Sequence, residues 1–137
     1  MPHDPERVAD TRAWLVKASN DLRAAETDLK AGPPLLEDLL FHCQQAAEKA
    51  MKALLAWHDR PSRKTHDLVE IGAQCVEVDA TLEPLLRRAA PLTEFAWKYR
   101  YPGEAEEPSQ ELAEEAFTLA REIYHAICSR LPQDIRP

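Results

Sequence analysis

The sequence predicts an all-α protein, an up-down bundle of four to five helices, on three observations. Glycine occurs only at Gly32, Gly72 and Gly103 in 137 residues, whereas hairpin-rich folds need many residues able to take positive φ. The eleven prolines act as punctuation, near the start (Pro2, Pro5), at Pro33-Pro34, Pro61, Pro84, Pro91, Pro102 and Pro108, and at the end (Pro132, Pro137). Between them run long stretches in which apolar residues recur every three or four positions, the period of one helix face.

The first stretch runs from about Pro5 to Ala31. Val8, Thr11, Leu15, Ala18, Leu22, Ala25 and Leu29 form its stripe, with Trp14 and Asp21 beside it. Asp4 suits an N-cap and Pro5 the first turn, and Gly32-Pro33-Pro34 is a stop signal. The second spans about Leu35 to His58, its apolar face made by Leu36, Leu39, Leu40, Cys43, Ala46, Ala47, Ala50, Leu54 and Trp57. Dense alanine there favours helix and close packing. After the polar break Asp59 to Lys64, a shorter helix is expected over about Asp67 to Val78, capped by Thr65 or Asp67. A fourth is expected over about Leu82 to Tyr99, with Pro84 in its first turn and a kink or break near Ala90, because Pro91 lacks an amide donor. Gly103 to Pro108 reads as an acidic loop. The last helix is expected over about Ser109 to Arg130, with a stripe of Leu112, Ala116, Leu119, Ile123 and Ile127 and with Ala113 and Phe117 alongside. From Pro132 onward the chain reads as a frayed tail.

The length fits one domain with its core over about residues 5–131. Charged residues are 30% and hydrophobic residues 45%, the balance of a folded globule. Three cysteines cannot all pair and none stands in a CxxC arrangement, so Cys43, Cys75 and Cys128 read as small core residues in a reducing, cytoplasmic setting. No apolar run approaches ~18 residues, so no membrane span is expected. The polar start, Met1-Pro2-His3-Asp4-Pro5-Glu6, does not resemble a secretory leader. The net charge of −7 argues against a nonspecific grip on nucleic acid. It is uneven, however: residues 49–100 carry nine Lys/Arg and seven Asp/Glu, a local +2, and the remainder carries −9.

The second helix holds an unusual polar string, Cys43-Gln44-Gln45-Ala46-Ala47-Glu48-Lys49-Ala50-Met51-Lys52-Ala53. Gln45, Glu48, Lys49 and Lys52 stand three and four apart and can line one flank. Lys64-Thr65-His66-Asp67-Leu68 follows, and Tyr99-Arg100-Tyr101-Pro102 ends the fourth helix. Together with Trp14, Ala18, Asp21, Leu22 and Ala25 in the first helix, these segments in this order resemble the HEPN family, the higher-eukaryote and prokaryote nucleotide-binding domain, over roughly residues 8–130. The resemblance implies one helical domain spanning 1–137. It further implies a homodimer, a minimal nucleotidyltransferase as partner chain and, in several such pairs, a toxin–antitoxin role. A nucleotide or RNA is the ligand class it implies, with no cofactor.

Some members of that family are metal-independent ribonucleases with an Arg-x(4–6)-His motif. Such cleavage needs a base, an acid and a cation for the phosphorane charge. Arg60-x5-His66 matches the spacing, but it lies after the second helix rather than at the late helix where the catalytic motif belongs. Arg121-x3-His125 is one residue too short, and Arg100 has no histidine four to six residues on. Arg60 and His66 are therefore the candidate catalytic pair of an alternative ribonuclease reading, and a binding module is the main one. A structural dimer without ligand is the third.

Candidates for binding a nucleotide, a phosphate or a partner are Gln45, Glu48, Lys49, Lys52, Lys64, His66 and Arg100. Each has a plainer reading. His66 can instead fix the loop before the third helix by a hydrogen bond. Lys49 and Lys52 can belong to a solvated face with intrahelical pairs such as Glu48–Lys52, and Gln45 can bridge to a neighbouring helix. Arg100 can stack on a base or cap its own helix. Trp14, Trp57 and Trp97 read as core or interface aromatics. A metal site needs three or four converging ligands. Asp38 and His42 supply only two in sequence, so none is expected.

Overall fold

The run Gly32-Pro33-Pro34 forces a short return between two long helices, α1 (Pro5–Lys30) and α2 (Leu36–Trp57). The computed structural model describes residues 3–103 and 106–137, so part of the expected acidic loop, Glu104 and Ala105, lies outside the described residues. The Asp4 side chain accepts from the Glu6 amide and caps α1, with Pro5 in the first turn. The two helices run antiparallel: Arg7, near the start of α1, donates to the Trp57 carbonyl at the end of α2.

α2 is central. Leu39, Leu40, Cys43, Ala46, Ala47, Ala50, Met51, Ala53, Leu54 and Leu55 have no exposed surface, and they point to several sides of the helix. A helix buried all round must be surrounded, and α1, α3 (Leu68–Val78), α5 (Gln110–Cys128) and a 3-10 segment (Ala90–Ala96) all pack on it. Each large aliphatic side chain buried there contributes about 1.5–3 kcal/mol of hydrophobic stabilisation. The Asp67 side chain caps α3 through the Val69 amide, and the Leu68 amide is taken by Thr93 Oγ1 at 3.0 Å.

Between α3 and α5 the helix expected over Leu82 to Tyr99 breaks before Ala90, as its Pro91 predicts, and goes further, into three short pieces: a 3-10 turn at Ala80–Leu82, α4 (Glu83–Arg87) and the 3-10 segment Ala90–Ala96. Pro84 and Pro91 each start a piece, since proline suits a first turn and breaks an interior one. Leu82, Leu86, Leu92 and Phe95 are buried along this path, so docking each short turn replaces the missing helical hydrogen bonds as the source of order.

Two further expectations are corrected. The segment after Pro132 is not frayed: Ile135 is 2% exposed and joins the core, and Arg136 donates to the Leu131 carbonyl. In α5 the buried set is Ala113, Ala116, Ala120, Ile123, Ile127 and Cys128, while Leu112 is exposed and Leu119 half-buried. The helix turns its alanines inward, which permits close approach, and leaves part of the leucine stripe outside. Among the described residues there is no strand, and no helix is long and apolar enough to cross a membrane.

Candidate functional site

The polar string of α2 faces partly inward, because Gln44 and Glu48, one turn apart, are buried on the helix flank that meets the loop before α3. Glu48 is 3% exposed, yet both its oxygens are served. Oε1 accepts from Gln44 Nε2 at 3.0 Å and from His66 Nδ1 at 2.8 Å, and Oε2 accepts from Lys52 Nζ at 3.0 Å. Gln44 also donates to the His66 carbonyl, and its own oxygen accepts from Gln45 Nε2. Burial alone pushes the Glu48 pKa up, but the hydrogen bonds from His66, Lys52 and Gln44 outweigh it and hold the carboxyl below its ordinary value. An ionised Glu48 accepts the hydrogen bond of His66 Nδ1–H, and in that neutral tautomer the lone pair sits on Nε2. The His66 side chain is 66% exposed, which opens that edge to solvent.

A second cluster lies toward the other end of α2. Asp21, buried on α1, accepts from Lys49 Nζ at 2.7 Å and faces His42 Nδ1 at 2.8 Å. His42 Nε2 is 3.4 Å from Asp38 Oδ2. Asp28, in the last turn of α1, brings a carboxylate oxygen to within 4.8 Å of both Asp38 and His42. Its burial, then the adjacent Asp38 carboxyl, push the Asp28 pKa up to about 7.

A groove of about 820 Å³ opens beside the first cluster, lined by Arg7, Asp10, Trp14, Lys52, Asp59 and Arg60 among others. Lys52 Nζ lies 5.3 Å from the centroid of the Trp14 ring, a cation–π contact, while it holds Glu48. A second, more apolar groove of about 670 Å³ lies between α5 and the 3-10 segment Ala90–Ala96. Leu112, Leu119, Leu92 and Phe95 line it, with Arg87 and Arg88 on one rim and Glu111, Glu114 and Glu115 on the other.

The candidate residues thus divide. Gln45, Glu48, Lys52 and His66 form one network, and Lys49 belongs to the Asp21 cluster. Lys64 is exposed in the link before α3. Arg60 pairs with Glu77 across the surface at 3.4 Å, and not with His66. Arg100 neither caps its helix through its side chain nor projects freely: its guanidinium lies 5.0 Å from the Phe41 ring centroid. Trp14 and Trp57 pack against the core, but Trp97 is 54% exposed and is no core residue. The three cysteines are buried, as expected, and burial raises the thiol pKa of each, that of Cys75 to about 12.

Sequence reasoning passed over Asp28, although a signal was there. Asp21 and Asp28 stand seven apart on the buried stripe of α1, where an apolar residue is the ordinary occupant. It also missed Arg130, which binds Asp79 and Thr81 and ties α5 to the turn after α3.

A bundle of antiparallel helices around one alanine-rich central helix, with a polar string buried along it, defines the class. The chain matches the family model described as "HEPN domain" over residues 11–131 and belongs to that family. Comparison with curated proteins and with solved structures finds no match.

Proposed function

We propose that the chain is a HEPN nucleotide-binding and interaction module that forms a homodimer and works beside a minimal nucleotidyltransferase, in a cytoplasmic toxin–antitoxin pair. The observation that carries this reading is the groove over Trp14. Its volume of about 820 Å³ is that of a small-ligand site. The Trp14 indole suits a base, and the half-exposed Arg60 suits a phosphate, while Lys52, over the same ring, is held by Glu48. Asp4, Glu6, Asp10 and Asp59 on the same rim repel a long polyanion, so the groove favours one short nucleotide over an RNA strand. The apolar α5 groove supports the homodimer: its basic and acidic rims are self-complementary under a two-fold axis.

Calorimetric titration of the full chain with mononucleotides tests the site. Binding is expected, with a loss of at least tenfold in affinity in Trp14→Ala. No heat with any nucleotide, together with no nucleotidyltransferase recovered on pull-down, overturns the reading. For the dimer, Leu112→Glu is expected to give a monomer by sedimentation.

One observation favours the ribonuclease alternative. Glu48 orients His66 so that Nε2 faces solvent as a base, which is the arrangement acid–base chemistry needs. RNA cleavage in EDTA that disappears in His66→Ala supports it, and no cleavage by the wild type rejects it.

A further inference from the structure

At the closed end of the α1–α2 hairpin three acceptors face one another. Asp28 is 7% exposed, and its Oδ2 has no hydrogen-bond partner. A carboxylate oxygen of Asp38 and a ring nitrogen of His42 lie within 4.8 Å of the Asp28 carboxylate, and it is Nε2 that faces Asp38, at 3.4 Å. The opposite edge of His42 is committed, since Nδ1 meets the Asp21 carboxylate at 2.8 Å. With Nδ1–H donating to the Asp21 carboxylate, the neutral ring turns its Nε2 lone pair toward Asp38. A histidine whose far nitrogen is held by a carboxylate is the usual arrangement of a metal-bound imidazole.

We propose that Asp28, Asp38 and His42 Nε2 bind a divalent transition-metal ion of the Zn²⁺ or Mn²⁺ kind. The spacing fits. Two ligands of a tetrahedral ion with bonds of about 2.0–2.1 Å stand about 3.3–3.4 Å apart, and His42 Nε2 is 3.4 Å from Asp38 Oδ2. The charges fit as well. Lys49 already neutralises Asp21, so the two remaining carboxylates balance a 2+ ion. One imidazole with two carboxylates favours Zn²⁺ or Mn²⁺ over Mg²⁺, which prefers oxygen ligands and several waters. The Asp38 side chain is 56% exposed and provides the entry path. Asp28 comes from α1 and the other two ligands from α2, so a bound ion clamps the hairpin near its turn.

The test is calorimetry on the chelator-stripped full chain with ZnCl₂, MnCl₂ or MgCl₂ alone, and a thermal melt with and without each metal. One equivalent of Zn²⁺ or Mn²⁺ per chain is expected, with a raised melting midpoint and with Mg²⁺ at least tenfold weaker. Asp28→Asn and Asp38→Asn should each raise the Kd at least tenfold and abolish the thermal shift. Asp38 is exposed, so its variant stays folded, and circular dichroism checks this for both. Absence of saturable uptake by the wild type overturns the proposal, as would be the case if a shared proton alone bridges the carboxyls. Wild-type affinity in both variants also overturns it, because the ion then sits elsewhere, for instance on the exposed His3, His58, His66 or His125.

Discussion

Two buried carboxylate clusters lie against α2, and they behave oppositely. Glu48 and Asp28 are about equally hidden, at 3% and 7% exposure. Glu48 receives three donated hydrogen bonds and is more acidic than an ordinary glutamate. Asp28 faces another carboxyl with one oxygen unpartnered and is less acidic than an ordinary aspartate. Burial raises both, so the donors decide the sign. The first cluster is complete within the chain, whereas in the second Lys49 is taken up by Asp21 and Asp28 Oδ2 has no donor.

The largest expected effect comes from breaking the complete cluster. Glu48→Ala strands Gln44 and Lys52 without their acceptor and should cost about 3 kcal/mol in urea unfolding. Asp28→Asn, which removes a charge that has no donor, should not destabilise the metal-free protein at neutral pH.

A pH series sharpens the contrast. The lowered pKa of Glu48 contributes stability that is present above its unfolded value and is lost as pH falls through the folded one. Asp28 runs the other way. Its pKa rises from 3.8 to about 7, so its contribution is full below its unfolded value and is lost as pH rises toward 7. Melting midpoints in EDTA should therefore show a flatter acid limb for Glu48→Gln. For Asp28→Asn they should show no decline between about pH 4 and 7 and a higher midpoint above 7.

The smallest effect is expected at the surface. Arg60 and Glu77 are both more than half exposed, so Arg60→Ala should change stability by about 0.5 kcal/mol or less. A larger loss would mean that the link before α3 is held more firmly than its contacts suggest.

What was legible in the sequence was local. The Asp4 cap, Pro5, the Gly32-Pro33-Pro34 stop and the Asp67 cap act within a turn of themselves, and both ends of α1 and the starts of α2 and α3 fall close to those signals. The fourth helix was legible only as a break, since its three pieces are held by docking Leu82, Leu86 and Phe95 against distant helices. Ile135 carried no signal because one apolar residue after Pro132 has no period. The Glu48–Lys52 pair was legible from i,i+4 spacing, but the His66 bond to the same carboxylate spans 18 residues. Asp28 was legible as an aspartate seven residues on from Asp21, but its meeting with Asp38 and His42 across the hairpin turn was not.

The alanines of α2 carry a wider consequence. Ala46, Ala47, Ala50 and Ala53 have no exposed surface, and larger side chains there would push neighbouring helices apart at about 1–3 kcal/mol each. Any protein that keeps these helices this close must keep the small residues, whether or not it performs chemistry. The same holds for the buried Gln44 and Glu48, which need each other. A string of this kind is therefore a signature of how a bundle is assembled. Two proteins can share it and differ in activity, and the difference should be sought at the rims, around the exposed Asp38 and Leu112, where substitution is cheap.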